Sequence, residues 1–168
     1  MIIQAETSGQ IQEVRLLFRE YETWLGVDLC FQSFEKELKN LPGEYAKPSG
    51  GLFLALSGES IAGCIALRKI GDAACEMKRL FVRPDFRGLR LGKMLIEKVI
   101  AEANAIGYER MRLDTLPDKM PKAVKLYQFY GFREIPPYYE NPHQETLFME
   151  LDLWGHARVP AQSDERIF

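Results

Sequence analysis

The sequence predicts an α/β (α+β) fold, a mixed, mostly antiparallel central sheet flanked by helices, in the element order βα(α)βββαβαββ. Three observations predict it. Between residues 51 and 82, three β-rich runs are separated only by turn signals at Ser57-Gly-Glu-Ser60 and Gly71-Asp72, as in an antiparallel meander. Runs with the helical apolar period lie before and after this block. Beyond residue 110 a strand-like run, a helical run and two more strand-like runs follow, which suits a sheet with helices packed on it.

Residues 1–5 read as a short strand, and Thr7 or Ser8 can accept from the free amides that open a helix. On that helix Ile11, Val14, Leu17, Phe18, Tyr21 and Leu25 recur on one face. A second, shorter helix covers 31–41, ended by Pro42-Gly43, and Pro48-Ser-Gly-Gly51 marks a loop. The meander strands are 51–56, 61–68 and 73–82. Leu91, Leu95, Val99, Ala103 and Ile106 then form the stripe of a helix, widened by Met94, Ile96 and Ile100 and closed by Gly107. Residues 110–115 read as a strand, 122–130 as a helix closed by Gly131, and 132–135 and 145–153 as two final strands around a Pro-rich 136–142. Residues 1–153 thus form one domain, and 154–168 a C-terminal tail of weak periodicity that can dock through Trp154 and Phe168.

With 168 residues, 46% hydrophobic and 27% charged, the chain can bury a core of its own. No apolar stretch approaches the roughly 20 residues of a membrane span, and the N-terminus lacks the plan of a signal peptide, so a cytoplasmic protein is expected. A net charge of −2 argues against nucleic acid or an anionic membrane as partner. Cys30, Cys64 and Cys75 lack the close spacing of zinc or redox pairs and read as reduced core thiols, and His143 and His156 are too far apart for a His-based site. No metal is expected.

The most informative stretch joins a strand to a helix: Arg87-Gly-Leu-Arg-Leu-Gly-Lys93. Amides at a helix N-terminus have no internal partner and sit at the positive end of the macrodipole, and glycines let backbone come close to a pyrophosphate. Arg87, Arg90 and Lys93 add positive charge. A Walker A loop needs four residues between Gly and Gly-Lys, then Ser or Thr, whereas Gly88 and Gly92 enclose three and Met94 follows Lys93. The dinucleotide pattern G-x-G-x-x-G is absent.

This segment resembles the acetyl-CoA-binding signature of the GNAT superfamily of acyl-CoA-dependent N-acetyltransferases: Arg or Gln, two residues, Gly, one residue, Gly or Ala. Arg87 and Gly92 match the outer positions, Gly88 a frequent extra glycine, and Arg90 stands where the central Gly belongs. A side chain there is expected to require helical backbone dihedrals. The order of elements over residues 2–153 agrees with the GNAT fold, and Ala123-Val-Lys-Leu-Tyr-Gln-Phe-Tyr-Gly-Phe132 resembles the superfamily's Leu-Tyr-x-x-x-Gly-Phe helix and turn. Met120 occupies the place of an Asn that many members carry.

The resemblance implies acetyl-CoA as cosubstrate, bound through Leu80, Phe81 and Val82 along the pantetheine arm and through Arg87, Gly88, Leu89, Arg90, Leu91, Gly92 and Lys93 at the phosphates. It implies a small-molecule or protein amine as acceptor and is compatible with a homodimer. The apolar parity in the strand before the turn changes after Met77, which permits a bulge near Leu80 that frees backbone donors. Transfer from a thioester needs a neutral amine and a proton for the leaving thiolate. Tyr127 matches the Tyr that protonates coenzyme A in many members; its alternative is a core aromatic. Glu76 is the candidate base, its alternative a structural carboxylate paired with Lys or Arg. Trp24, Phe31, Tyr138 and Tyr139 are available for the acceptor. The leading expectation is an N-acetyltransferase working by direct transfer in a ternary complex; the alternatives are a non-catalytic acyl-CoA-binding module or sensor, and acyl transfer to a hydroxyl.

Overall fold

The structure is a computed structural model and describes residues 1–30 and 33–156. One sheet in the order β1-β2-β3-β4-β5-β7-β6 runs through it. Its strands are β1 (Ile2–Gln4), β2 (Gly51–Ser57), β3 (Ser60–Lys69), β4 (Ala74–Val82), β5 (Arg110–Thr115), β6 (Arg133–Glu134) and β7 (Leu147–Asp152). Between them come α1 (Ser8–Leu25), α2 (Phe34–Asn40), α3 (Leu91–Ile106) and α4 (Pro121–Phe129), with a short α5 (Leu153–His156) at the end. Every neighbouring pair is antiparallel except β4 and β5, which are parallel because α3 carries the chain back across the sheet.

Local chemistry sets the helix ends. The Thr7 hydroxyl accepts from the Gln10 amide while the Gln10 side chain accepts from the Thr7 amide, a reciprocal capping box that opens α1. Gly107 closes α3 in the left-handed conformation. The second helix begins at Phe34, later than its apolar pattern suggested, with Phe31 lying outside the described residues. Pro42-Gly43 does end it, through a cis Leu41–Pro42 peptide and a 3-10 turn at Gly43–Tyr45.

Both faces of the sheet are covered, so the inner strands are apolar almost throughout. On β2, Leu52 and Leu54 face α1 and α2, joining Leu17, Phe18 and Phe34, while Phe53 and Ala55 face α3, joining Leu95, Val99 and Tyr127. Cys64 and Cys75 are core thiols, but Cys30 is exposed, because the chain leaves α1 and runs over the surface there. Trp154 is 73% exposed and does not dock; Phe168 lies outside the described residues.

Two irregularities position the site. Cys64 pairs with Phe81 but Ala66 pairs with Lys78, so Ile65 opposes both Arg79 and Leu80, a bulge on β4 with Arg79 at φ 58°. The bulge explains the parity of the sequence: Met77 and Leu80 both enter the α3-side core and Phe81 the opposite one. Gly63 faces this crowded spot, where a Cβ would lie 2.4 Å from the Phe81 carbonyl oxygen. Secondly, β4 and β5 pair only at Ala74↔Arg110, Cys75↔Met111 and Glu76↔Arg112. Beyond Glu76 the two strands part, β4 staying with β3 and β5 with β7.

Candidate active site

The parting of β4 and β5 opens a cleft. Met77 to Leu80 form one wall, Leu113 to Leu116 the other, and Tyr127 on α4 reaches it from the α3 side. Tyr21 closes it from α1, and Asn141, His143 and Thr146 from the loop before β7. The Thr146 hydroxyl is buried without a hydrogen-bond partner among the described residues.

At the C-terminal end of β4 a 3-10 turn, Pro84–Phe86, leads into the basic segment and α3. The α3 N-terminus has no side-chain cap and no acidic residue in its first turn, so its amide donors and positive dipole end carry no competing anion from that turn. Gly88 adopts φ +86°, which only glycine takes without strain. Arg90, expected to keep helical dihedrals, instead sits at φ 57°, ψ 13°, the left-handed conformation that glycine takes most readily. Left-handed backbone costs an L-residue roughly 1–2 kcal/mol. Arg90→Gly is therefore expected to raise stability by about 1 kcal/mol, a Tm gain of roughly 2–4 °C that differential scanning calorimetry can read.

The Arg87 guanidinium lies 4.7 Å from the centroid of the Trp24 ring, and its Nε donates to the Val82 carbonyl at 3.2 Å. Trp24, grouped with the acceptor residues on sequence grounds, thus stands beside the basic turn and packs on Phe81 at 6.0 Å. Leu80 is buried toward α3, Phe81 toward α1, and Val82 packs against the α3-side core. Leu89 is exposed, Leu91 buried, and Gly92 has open space around a Cβ, with Val82 Cγ2 at 4.0 Å. Lys93 approaches the Phe129 ring at 5.7 Å and Glu97 at 3.9 Å.

Glu76 is 1% exposed and both its oxygens are engaged: Arg68 Nε donates to Oε2 at 2.7 Å and the Tyr138 hydroxyl to Oε1 at 2.7 Å. Lys78 Nζ stands 4.0 Å away. Burial pushes the Glu76 carboxyl up, but the charges of Lys78 and Arg68 and these hydrogen bonds outweigh it and hold it below the usual carboxylate range. Tyr127 is buried, its ring tilted against Phe132 at 5.8 Å, and burial raises its hydroxyl well above the ordinary range, keeping it protonated. Burial likewise pushes the Cys75 thiol up to about 12, and it lies in the α3-side core rather than in the cleft.

Two features escaped sequence reasoning. Glu37 of α2 receives Arg79 Nε at 3.1 Å and Nη2 at 2.7 Å, fixing α2 on the bulge. Asp114 of β5 lines the cleft; burial, and then the nearby Asp114 charge, push the Tyr139 hydroxyl up, and that hydroxyl accepts from Asn141 Nδ2 at 2.9 Å. Tyr138 and Tyr139 pack on each other at 5.4 Å and both on Phe148. Met120 occupies the α4 N-cap without a side-chain cap bond and lines the cleft.

Residues 11–132 match the family model described as the acetyltransferase (GNAT) family. The chain belongs to the GNAT family. A relative, an uncharacterized N-acetyltransferase of Schizosaccharomyces pombe, is 39% identical over 145 residues, covering 85% of this chain and 88% of the relative. The crystal structure of a GNAT-family acetyltransferase from Staphylococcus aureus superposes with a TM-score of 0.75 at 25% identity, covering 91% and 98% of the two chains. That of a GNAT acetyltransferase from Elizabethkingia anophelis with acetyl-CoA bound gives 0.54 at 25% identity over 67% of this chain and 81% of that one. The GNAT fold thus accounts for the sheet order, its open β4/β5 edge and the basic turn together.

Proposed function

We propose that this GNAT protein moves an acetyl group from acetyl-CoA to a primary amine by direct transfer in a ternary complex. The observation that carries this is the placement of the uncapped, basic start of α3 at the same end of β4 where β4 and β5 part, with Tyr127 lining the gap. The amides of Leu91, Gly92 and Lys93 and the charges of Arg87, Arg90 and Lys93 suit a diphosphate. Past Glu76 the β4 edge has no β5 partner, so an extended pantetheine arm can lie along Leu80, Phe81 and Val82. The acetyl-CoA-bound relative supports the choice of cosubstrate.

Acetyl-CoA supplies an activated acyl carbon; this chain's residues bring an amine to it and manage the protons. Backbone donors at the bulge stabilise the oxyanion, and the Tyr127 hydroxyl protonates the departing thiolate. Of the two roles open to Glu76, the geometry favours the paired carboxylate: a group held ionised by Arg68 and Tyr138 is a weak proton acceptor and a good anchor for Tyr138. Trp24 belongs beside the phosphates, holding Arg87, while Tyr138 and Tyr139 remain on the acceptor side.

Calorimetric titration with acetyl-CoA followed by a thiol-release screen over amines tests this. Arg87→Ala is expected to weaken acetyl-CoA binding about tenfold or more, since a charge-assisted hydrogen bond contributes roughly 1.5–3 kcal/mol. Gly92→Val has room in the free protein and should act on the bound state alone. Unchanged affinity in both variants removes the phosphate site, and binding without thiol release from any amine favours the non-catalytic module.

A further inference from the structure

We propose that Asp114 takes the proton from the acceptor's ammonium, with Tyr139 as the residue that positions its carboxylate. This rests on the acetyl transfer proposed above and supplies the base that Glu76, with both oxygens engaged, does not.

Three observations converge on Asp114. It is the carboxylate among the described residues that line the cleft, and it shares that lining with Tyr127. It shares the cleft lining with Tyr21 on α1, Lys78 on β4, Tyr127 on α4 and Asn141 on the loop, and its charge helps raise the hydroxyls of Tyr21, Tyr127, Tyr138 and Tyr139. Asp114 therefore lies where those elements meet. The Tyr139 hydroxyl feels the Asp114 charge and is fixed by Asn141 Nδ2 at 2.9 Å, which leaves its own proton for the carboxylate and would give that carboxylate a preferred orientation. Of the remaining charged or titratable groups facing the cleft, Arg79 is taken by Glu37, Lys78 is shared with Glu76, and His143 stands near Glu145 at 3.9 Å. The unpartnered Thr146 hydroxyl in the same cleft marks a place for a polar ligand group.

The proton balance is simple. The ammonium R–NH3+ loses one proton to Asp114, which passes it to water. The freed nitrogen lone pair attacks the thioester carbonyl carbon, the C–N bond forms, and collapse of the tetrahedral intermediate breaks the C–S bond. The thiolate takes the Tyr127 proton, and the second proton of the nitrogen restores Tyr127. Products are the amide, the free thiol and one proton in solution.

The test compares an amine that is charged at neutral pH, phenethylamine, with one that is already neutral, aniline, by thiol release from acetyl-CoA in the wild type, Asp114→Asn and Tyr139→Phe. Asp114→Asn keeps an acceptor for Tyr139. It is expected to lower kcat/KM for phenethylamine roughly 10²–10⁴-fold and leave acetyl-CoA affinity unchanged. The aniline rate should change by no more than a few-fold. The deficit with phenethylamine should narrow as pH rises toward an amine pKa of about 10.4, because solvent then supplies the free base. Tyr139→Phe should give a smaller loss with the same selectivity for the charged amine. An equal loss for both amines in both variants, or wild-type kcat/KM and pH profile with phenethylamine, overturns the role of Asp114 while acetyl transfer stands. No thiol release by the wild type from either amine, with acetyl-CoA bound, overturns both.

Discussion

Glu37→Ala is expected to lower stability by about 3–5 kcal/mol at neutral pH, the cost of leaving one member of a buried ion pair without its partner. The Arg79 side chain is 3% exposed and Glu37 12%, so solvent cannot replace the lost carboxylate. The Glu37 carboxylate also accepts the Tyr45 hydroxyl at 2.8 Å, and that donor is orphaned as well. Urea unfolding measures the loss as a shift in midpoint. Burial raises the Glu37 carboxyl, but the Arg79 hydrogen bonds and charge, with Tyr45, bring it below the usual carboxylate range. A folded-state pKa below the unfolded one contributes stability that is complete above the unfolded pKa and disappears as pH falls through the folded value. The gap between wild type and variant should therefore narrow as pH falls below the unfolded glutamate pKa of about 4.3. A gap independent of pH down to acid unfolding would falsify the electrostatic origin.

Tyr127→Phe is expected to lower kcat roughly 10²–10⁴-fold while leaving the acetyl-CoA dissociation constant as it is. Phenylalanine keeps the ring packed near Phe132, so the variant subtracts only the hydroxyl. Burial keeps that hydroxyl protonated through the neutral range, so the donor should contribute no basic limb to the rate profile of the wild type. Single-turnover thiol release isolates the chemical step; a wild-type rate there makes Tyr127 a packing residue.

The strands and long helices were legible because burial on both faces leaves long apolar runs, and turn residues bracket them. The bulge was legible too, in the parity change between Met77 and Leu80. The conformation of Arg90 was not, because left-handed backbone at a side-chain-bearing residue has no compositional mark. Partners of buried charges were partly readable: the meander register sets Arg68 opposite Glu76, but Tyr138 arrives from 62 residues later. Asp114 escaped because Arg110, Arg112 and Asp114 look like the solvent face of an alternating strand, and only the parting of β4 and β5 turns that face into a cleft wall. Trp24 was seen as an available aromatic, but its neighbour Arg87 is brought there by tertiary packing alone.

The bulge residue Arg79 joins two demands in one position: a left-handed backbone that glycine would take without cost, and a guanidinium that Glu37 cannot lose. Arg79→Gly relaxes the first and violates the second, and any change at Glu37 strands Arg79 in turn. Each single step thus lowers fitness even where the double replacement by well-fitting apolar residues is tolerated. Positions 37 and 79 are expected to drift only in concert, and descendants of this sequence should hold both or neither.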